Sequence, residues 1–149
     1  PFDCDIYRTE EGGPVHLITN GLGRTPRPAD EEGTEHHRVE LAVRTMQDGG
    51  EILDLMASAA VGIELSEEPW NSADIIEFEE PLHNLQHFII GPLFDVDPDS
   101  GPTIEVWQLV PLTDEEYDDI SDGDALGWLE EHDYAMAPEY VERWMAVYQ

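Results

Sequence analysis

The chain has 149 residues, of which 35 are acidic and six are basic, and its formal net charge is −29. All six basic residues are arginines. This length predicts a single domain over 1–149, and a 40% content of hydrophobic residues is enough to bury a core. The charge excludes direct binding to nucleic-acid phosphates, because six arginines cannot offset 35 acids.

Other classes of protein are excluded by what the sequence lacks. No apolar run reaches the ~18 residues that a membrane-spanning helix needs. The first residues have neither the basic nor the apolar region of a signal peptide. The chain begins with Pro1 rather than Met, which indicates a trimmed start. Cys4 is the single cysteine, so no intrachain disulfide can form. We therefore expect a cytoplasmic protein.

Two explanations of the acidity remain open at this stage. Halophilic adaptation, to a salty cytoplasm, would spread the acids over every face of the molecule and would also account for the absence of lysine. A basic partner protein would favour an acidic binding surface, because opposite charges speed association by electrostatic steering. The first explanation predicts a melting temperature that rises steeply with salt, because the screening length falls to about 3 Å at 1 M salt.

The first part of the chain predicts three strands and a helix. Short apolar or alternating runs place the strands at 6–8, 15–19 and 38–44, and helical spacing of apolar residues places the helix at 51–63. Prolines and acids predict a solvated loop at 24–36. One shared core is expected for the strand and helix residues Val39, Leu41, Val43, Ile52, Leu55 and Met56.

The second half predicts three more strands and several helices. The strands are expected at 73–78, 88–90 and 103–110, with 95–102 as the hairpin loop between the last two. Trp107 and Leu109 should lie on the opposite face of their strand from Ile104, Val106 and Gln108, and both faces should be covered. Helices are expected at 114–120, after a capping box formed by Thr113 and Glu116, at 124–132, and in the C-terminal helical segment 133–149. This order predicts an α+β fold with a mixed, largely antiparallel sheet flanked by helices.

Two groups of side chains have a spacing that suits metal ions. Asp95, Asp97 and Asp99 alternate as in the first half of a calcium loop, but the glycine and the final glutamate of such a loop are missing. His83 and His87 have the spacing of zinc ligands on a helix, whereas their segment enters a strand. We therefore expect no metal and no cofactor.

Nucleophilic catalysis has no visible site in the sequence. Cys4 has no basic neighbour to lower its pKa. The chain contains neither a Gly-x-Ser-x-Gly elbow nor a glycine-rich phosphate loop. The remaining enzymatic alternative is a hydrolase or metal-dependent enzyme that uses buried carboxylates, which would require a desolvated Asp or Glu in a pocket.

Five segments in order resemble the suppressor-of-fused (SUFU) domain family, in its single-domain prokaryotic type. They are Ile6-Tyr7-Arg8; His16-Leu17-Ile18-Thr19-Asn20-Gly21-Leu22-Gly23; Val39-Glu40-Leu41 with the helix after it; Glu80-Pro81-Leu82 leading to Gln86-His87-Phe88-Ile89-Ile90; and Val106-Trp107-Gln108-Leu109-Val110-Pro111-Leu112-Thr113-Asp114-Glu115-Glu116-Tyr117. The resemblance extends from about residue 6 to 132. Gly23 departs from it, because the family usually has Ser there.

The resemblance implies a non-enzymatic module that binds proteins. In the eukaryotic Hedgehog-pathway member, this domain and a second one hold a transcription-factor peptide as an added strand. The 149 residues contain one such domain, so the two-domain clamp is not carried over whole. Bacterial relatives resemble immunity proteins of toxin systems, which implies a protein partner here, possibly a basic toxin or peptide.

The expected partner-binding surface is the segment 74–84. Apolar residues alternate there with acids, as in a binding hot spot with a charged rim. The residues assigned to this surface are Ile75, Ile76, Phe78, Glu79, Glu80, Leu82 and His83. The alternative is that the apolar members fill the sheet core. Ile76 and Phe78 share one strand face and Ile75 takes the other, so only one set can be exposed.

Overall fold

A computed structural model of the protein describes residues 3–8, 14–24, 26–28, 30, 32, 36–46, 49–65, 69–97, 102–121 and 123–148. The strands in these residues are β1 (Asp3–Arg8), β2 (Val15–Asn20), β3 (Arg27–Pro28), β4 (His36–His37), β5 (Val39–Thr45), β6 (Ile75–Leu82), β7 (Leu85–Val96) and β8 (Ile104–Pro111). The helices are α1 (Gly50–Leu65), α2 (Asp114–Ser121), α3 (Ala125–Glu131) and α4 (Pro138–Arg143), with 3₁₀ turns at Leu22–Arg24 and Trp144–Tyr148. The predicted α+β class is confirmed.

Six strands form one sheet in the order β1-β2-β5-β8-β7-β6, and β3 pairs with β4 in a separate ladder. Neighbouring strands are antiparallel except β5 and β8, which are parallel. Parallel neighbours need a long connection, and the chain between β5 and β8 contains α1, β6 and β7. The sheet is therefore mixed and largely antiparallel, as predicted, with β8 near its middle and β6 at one edge.

The first face of the sheet packs against α1 and the C-terminal 3₁₀ turn. All the residues predicted to meet there lie in one buried cluster: Val39, Leu41, Val43, Ile52, Leu55 and Met56. Trp107 and Leu109 of β8 and Trp144 of the 3₁₀ turn belong to the same cluster. Full burial of such aliphatic side chains contributes roughly 1.5–3 kcal/mol each, so this face holds most of the apolar stabilisation.

The second face of the sheet is divided into two halves. Ile89, Val110 and Leu112 pack there with residues of α2, α3 and α4. At the other end of β8, Ile104 and Val106 line an open groove instead. The prediction that β8 is covered on both sides is thus confirmed at the Val110 end and is wrong at the Ile104 end.

Several predicted boundaries shift in the structure. The predicted loop 95–102 is wrong at its start, because β7 continues to Val96 and pairs Asp95 with Glu105 and Val96 with Ile104. Cross-strand pairing outweighs the loop preference of these acids. The predicted loop 24–36 contains β3, which pairs with β4. In the segment 133–149, α4 begins at Pro138 and passes into the 3₁₀ turn.

A tight turn joins β6 to β7, and a capping box begins α2. The turn between β6 and β7 places His83 and Asn84 at positive φ angles of 50° and 71°, the backbone of a tight type I′ hairpin. The capping box of α2 is confirmed, since Thr113 Oγ1 accepts from Glu116 N at 3.1 Å and Glu116 Oε1 accepts from Thr113 N at 3.0 Å.

Candidate functional site

The expected binding segment 74–84 forms β6 and its hairpin turn. β6 is the last strand of the sheet, so within the described residues it pairs with β7 alone. Its pairing is irregular between Glu77 and Leu82. The side chain of Gln86 fills this irregularity, donating to the carbonyl oxygens of Phe78 at 2.8 Å and Glu79 at 3.3 Å. The outer edge of β6 is therefore held in a fixed shape next to an interrupted ladder.

The apolar residues of this segment are partly or wholly used by the core. Ile76 is buried, and Phe78 and Leu82 pack against the cluster beneath α1. Ile75 packs against the cluster on the second face. Glu79 and Glu80 are exposed. What β6 presents outward is consequently its backbone edge and its acids, with the apolar side chains as support.

His83 in the hairpin turn and His87 in β7 have different surroundings. His83 Nε2 lies 3.1 Å from Asp54 Oδ2 of α1. His87 stacks on the ring of Tyr117 at 3.9 Å, with its Nε2 3.2 Å from Glu77 Oε2. His83 therefore joins the hairpin turn to α1, and His87 joins β7 to β6 and α2.

A second surface, which the sequence did not predict, is a groove of about 660 Å³ on the second face of the sheet. Its floor and walls come from β2, β5, β7, β8 and the turn before α4. The apolar residues that line it are Ile18, Leu93, Phe94, Val96, Ile104, Val106, Ala135 and Met136. Three of them are among the exposed large hydrophobic residues: Phe94 at 47%, Val96 at 42% and Met136 at 67%.

A buried carboxylate organises one end of the groove. Glu40 Oε1 accepts from Thr19 Oγ1 at 2.7 Å and from Leu22 N at 3.1 Å. Its Oε2 accepts from Gly21 N at 3.2 Å and from Gly23 N at 2.9 Å. A carboxylate has about four acceptor positions, so Glu40 is saturated. It holds the turn 20–23 in place and has no acceptor position left for a substrate.

Glycine at position 23 follows from the same geometry. A Cβ there would lie 3.0 Å from Glu40 Oε2 and 3.4 Å from the backbone oxygen of Val39. Arg38 Nη1 also donates to the carbonyl oxygen of Gly23 at 3.0 Å. The departure from serine thus coincides with a close contact between the turn and the Glu40 carboxylate.

The wall of the groove is anchored by Tyr134. Its hydroxyl donates to the carbonyl oxygen of Pro92 at 2.5 Å, and Gln108 Nε2 donates to its backbone oxygen at 3.2 Å. The ring lies against Gly91, where an added Cβ would stand 2.5 Å from a ring carbon. A glycine in β7 therefore permits the close approach that places Met136 beside the groove.

Burial shifts the pKa of two groups near these surfaces. Burial, together with the charge of Arg44, lowers the pKa of His16 from its ordinary value of 6.5, so the imidazole in the groove is neutral at pH 7. Burial raises the pKa of Asp74 above 3.8, against the opposing effect of a hydrogen bond from Asn71 N. Asp74 is not among the residues that line the groove.

The metal candidates are not gathered into a site. Asp95 and Asp97 are exposed, and Asp97 Oδ1 accepts from Thr103 Oγ1 at 2.5 Å. Asp99 lies outside the described residues. No cluster of three or more metal-ligating side chains occurs in the part of the chain that the structure describes. Within those same residues, no helix is long and apolar enough to cross a membrane.

Sequence patterns could not have revealed the groove directly. Val96 lies in the predicted loop 95–102, Phe94 lies between that loop and the predicted strand 88–90, and Met136 stands between two alanines. The one available signal was the alternation of Phe94, Val96, Ile104 and Val106 on either side of an acidic turn. That alternation indicates a hairpin with one apolar face.

The described residues thus form an α+β sheet domain with β6 at one edge of the sheet and an open apolar groove on one face. Its sequence matches the family model of Suppressor of fused protein (SUFU) over residues 2–139. The chain belongs to the suppressor of fused family. No similar sequence was found among the curated proteins.

Solved structures with the same fold come from both eukaryotes and bacteria. Drosophila Suppressor of Fused is 16% identical with a TM-score of 0.60, covering 87% of this chain and 37% of its own. A putative SUFU homologue from Neisseria gonorrhoeae is 14% identical with a TM-score of 0.62, covering 87% and 68%. A chain of the Sufu–Fu complex is 17% identical with a TM-score of 0.58, covering 87% and 67%. The present chain thus spans little more than a third of the Drosophila protein.

Proposed function

We propose that this chain is a non-enzymatic protein-binding module whose partner docks on the segment 74–84. The observation that carries the proposal is the position of β6 at the edge of the sheet. An edge strand offers backbone N–H and C=O groups to which an extended segment of a partner can add as a further strand. A related chain has been crystallised in the Sufu–Fu complex, which is a complex of two proteins.

The chemistry of β6 favours a basic partner segment. Glu77, Glu79 and Glu80 are exposed along the strand. A segment carrying Lys or Arg would neutralise these acids as it paired. Ile76 is buried and Phe78 is half-buried against the core, so both support the strand from below.

The finer proposal is an immunity role, in which this chain neutralises a toxin protein in the cytoplasm. A basic toxin suits the net charge of −29, because steering raises the association rate of oppositely charged proteins. The saturated Glu40 supports a binding role over the enzymatic alternative, since this carboxylate cannot act as an acid or a base while it accepts four hydrogen bonds.

The test begins with capture of the partner by the full chain, followed by the double variant Glu79→Lys/Glu80→Lys. A matched control is Glu130→Lys/Glu131→Lys on α3, which changes the net charge equally at two exposed adjacent positions. We expect the β6 variant to lose the partner and the α3 variant to retain it, with equal melting temperatures. Retention by both variants would move the binding surface away from β6.

The immunity role has a separate test. The captured partner, expressed alone, should arrest growth of a host cell, and coexpression with this chain should restore growth. Coexpression with the β6 variant should fail to restore it. A partner that is harmless when expressed alone would refute the immunity role and leave the binding function intact.

A further inference from the structure

The groove on the second face has chemistry that the β6 site does not use. It measures about 660 Å³, and Phe94, Val96 and Met136 remain between 42% and 67% exposed at its rim. Apolar side chains exposed to water on the surface of a protein with a net charge of −29 are unfavourable in free energy, and burial against another molecule would relieve this. Such a patch indicates a surface that is covered by something else.

The groove floor determines the form of the occupant. β5 is paired with β2 and β8, and β8 is paired with β5 and β7, so the floor strands have no free edge. An occupant must therefore contact side chains and cannot add as a strand. From β2 to β7 the floor spans three strand spacings, or about 14 Å. An α-helix with its side chains is about 10–12 Å across and fits this width.

The charge of the groove determines the character of the occupant. Among its lining residues, Glu40 is the single carboxylate and no Lys or Arg is present. His16, the remaining titratable group, is neutral at pH 7 because burial lowers its pKa. A second copy of the chain is disfavoured, because two molecules with a net charge of −29 repel each other. Charge complementarity therefore favours a basic partner.

We propose that the groove binds an amphipathic helix of a partner protein, with the apolar face of the helix on Ile18, Val106 and Met136 and with Lys or Arg residues on its exposed face. This inference rests on the proposed binding function and adds to it a second contact, away from the β6 edge, on the groove lined by β2, β5, β7 and β8. Helix-in-groove recognition of this kind relies on apolar anchors at helical spacing.

The experiment uses a synthetic amphipathic peptide of about 18 residues, with Leu on one face and Lys on the other. Its binding to the full chain is measured by fluorescence anisotropy at about 0.15 M salt. The groove variants are Met136→Asp and Phe94→Asp. The control is Leu65→Asp on α1, the helix on the other face of the sheet; Leu65 is an apolar residue that is 76% exposed, against 67% for Met136 and 47% for Phe94.

We expect the control to bind like the unaltered protein and both groove variants to bind about tenfold more weakly. This direction opposes simple electrostatics, because every variant is more negative than the original and would attract a Lys peptide more strongly. Equal binding by all four proteins would overturn the proposal. So would equal binding by a peptide in which every Leu is replaced by Ser.

Two further outcomes assign the groove elsewhere. A peptide with Glu in place of Lys that binds as tightly would remove the basic requirement and overturn the proposal. A dimer in sedimentation that Met136→Asp dissociates would assign the groove to a second copy. The β6 tests do not depend on these results, so a partner that is lost by the β6 variant but retained by both groove variants would refute the groove alone.

Discussion

Replacement of Glu40 by Gln tests whether its four hydrogen bonds stabilise the fold. Glutamine keeps one accepting oxygen, but its amide nitrogen is a donor and would face two backbone N–H groups. In the orientation that preserves the bonds from Thr19 and Leu22, the N–H groups of Gly21 and Gly23 lose their acceptor. Of the three N–H groups of the turn 20–23 that donate to Glu40, only that of Leu22 would then keep its acceptor.

The magnitude follows from the burial of these two donors. A buried donor left without an acceptor costs about 1–3 kcal/mol. Gly23 is buried and Gly21 is half-buried, so water can replace part of the loss at Gly21. We expect Glu40→Gln to lower the free energy of unfolding by about 3 kcal/mol. For a domain of this size, that corresponds to a melting temperature lower by about 6–12 °C.

Urea unfolding at fixed salt is the suitable assay, because urea is uncharged and does not screen the acidic surface as guanidinium would. The matched control is Glu130→Gln on α3, which removes the same charge from an exposed position. The control should change stability by less than about 0.5 kcal/mol. A loss of under about 1 kcal/mol for Glu40→Gln, or a loss equal to that of the control, would refute the reasoning.

Three further predictions concern packing, pH and salt. Gly91→Ala should destabilise the protein by more than about 1 kcal/mol, because the added Cβ would clash with the Tyr134 ring. Gly62→Ala in α1 has open space around the added Cβ and should stabilise the protein by up to about 1 kcal/mol. Urea unfolding measures both changes. The folded-state pKa of His16 lies below its ordinary value of 6.5, so the unfolded state takes up a proton first as pH falls. The associated stability is therefore present above pH 6.5 and is lost as pH falls toward the folded-state pKa. The melting temperature of His16→Gln should decrease less steeply with falling pH over that window, and parallel pH profiles of the two proteins would contradict this. If the acidity is a salt adaptation, the melting temperature should rise steeply from low salt to 1 M, and a flat profile would favour the basic partner.

The local elements were largely predictable because their causes are local. The alternation of Val39, Leu41 and Val43 fixes which face of β5 is apolar, and helical spacing fixes the inner face of α1. The capping box at Thr113 and Glu116 likewise depends on residues three apart. Each of these features needs only neighbouring residues, so the sequence predicts it without knowledge of the fold.

The boundaries of β6 and β7 were less predictable, because hydrogen-bonded pairing with neighbouring strands makes each strand continue past the residues whose sequence favours a strand. Residues 73–78 and 88–90 became eight- and twelve-residue strands, joined by His83 and Asn84. A histidine at positive φ gives no turn signal of its own. Its conformation is imposed by the pairing of Leu82 with Leu85 on either side.

The binding surfaces and the role of Glu40 were decided by tertiary structure. In the sequence, Glu40 alternates with apolar neighbours and belongs to the solvent side of a half-buried strand. In the structure it is 8% exposed, because a turn 17 to 19 residues earlier brings three backbone N–H groups onto its carboxylate. The sequence determined a sheet domain with two apolar faces and a strongly acidic surface. The position at which α2, α3 and α4 pack on the second face left one half of that face as core and the other half as an open groove. The sequence alone could not predict this position, because it depends on contacts between residues far apart in the chain.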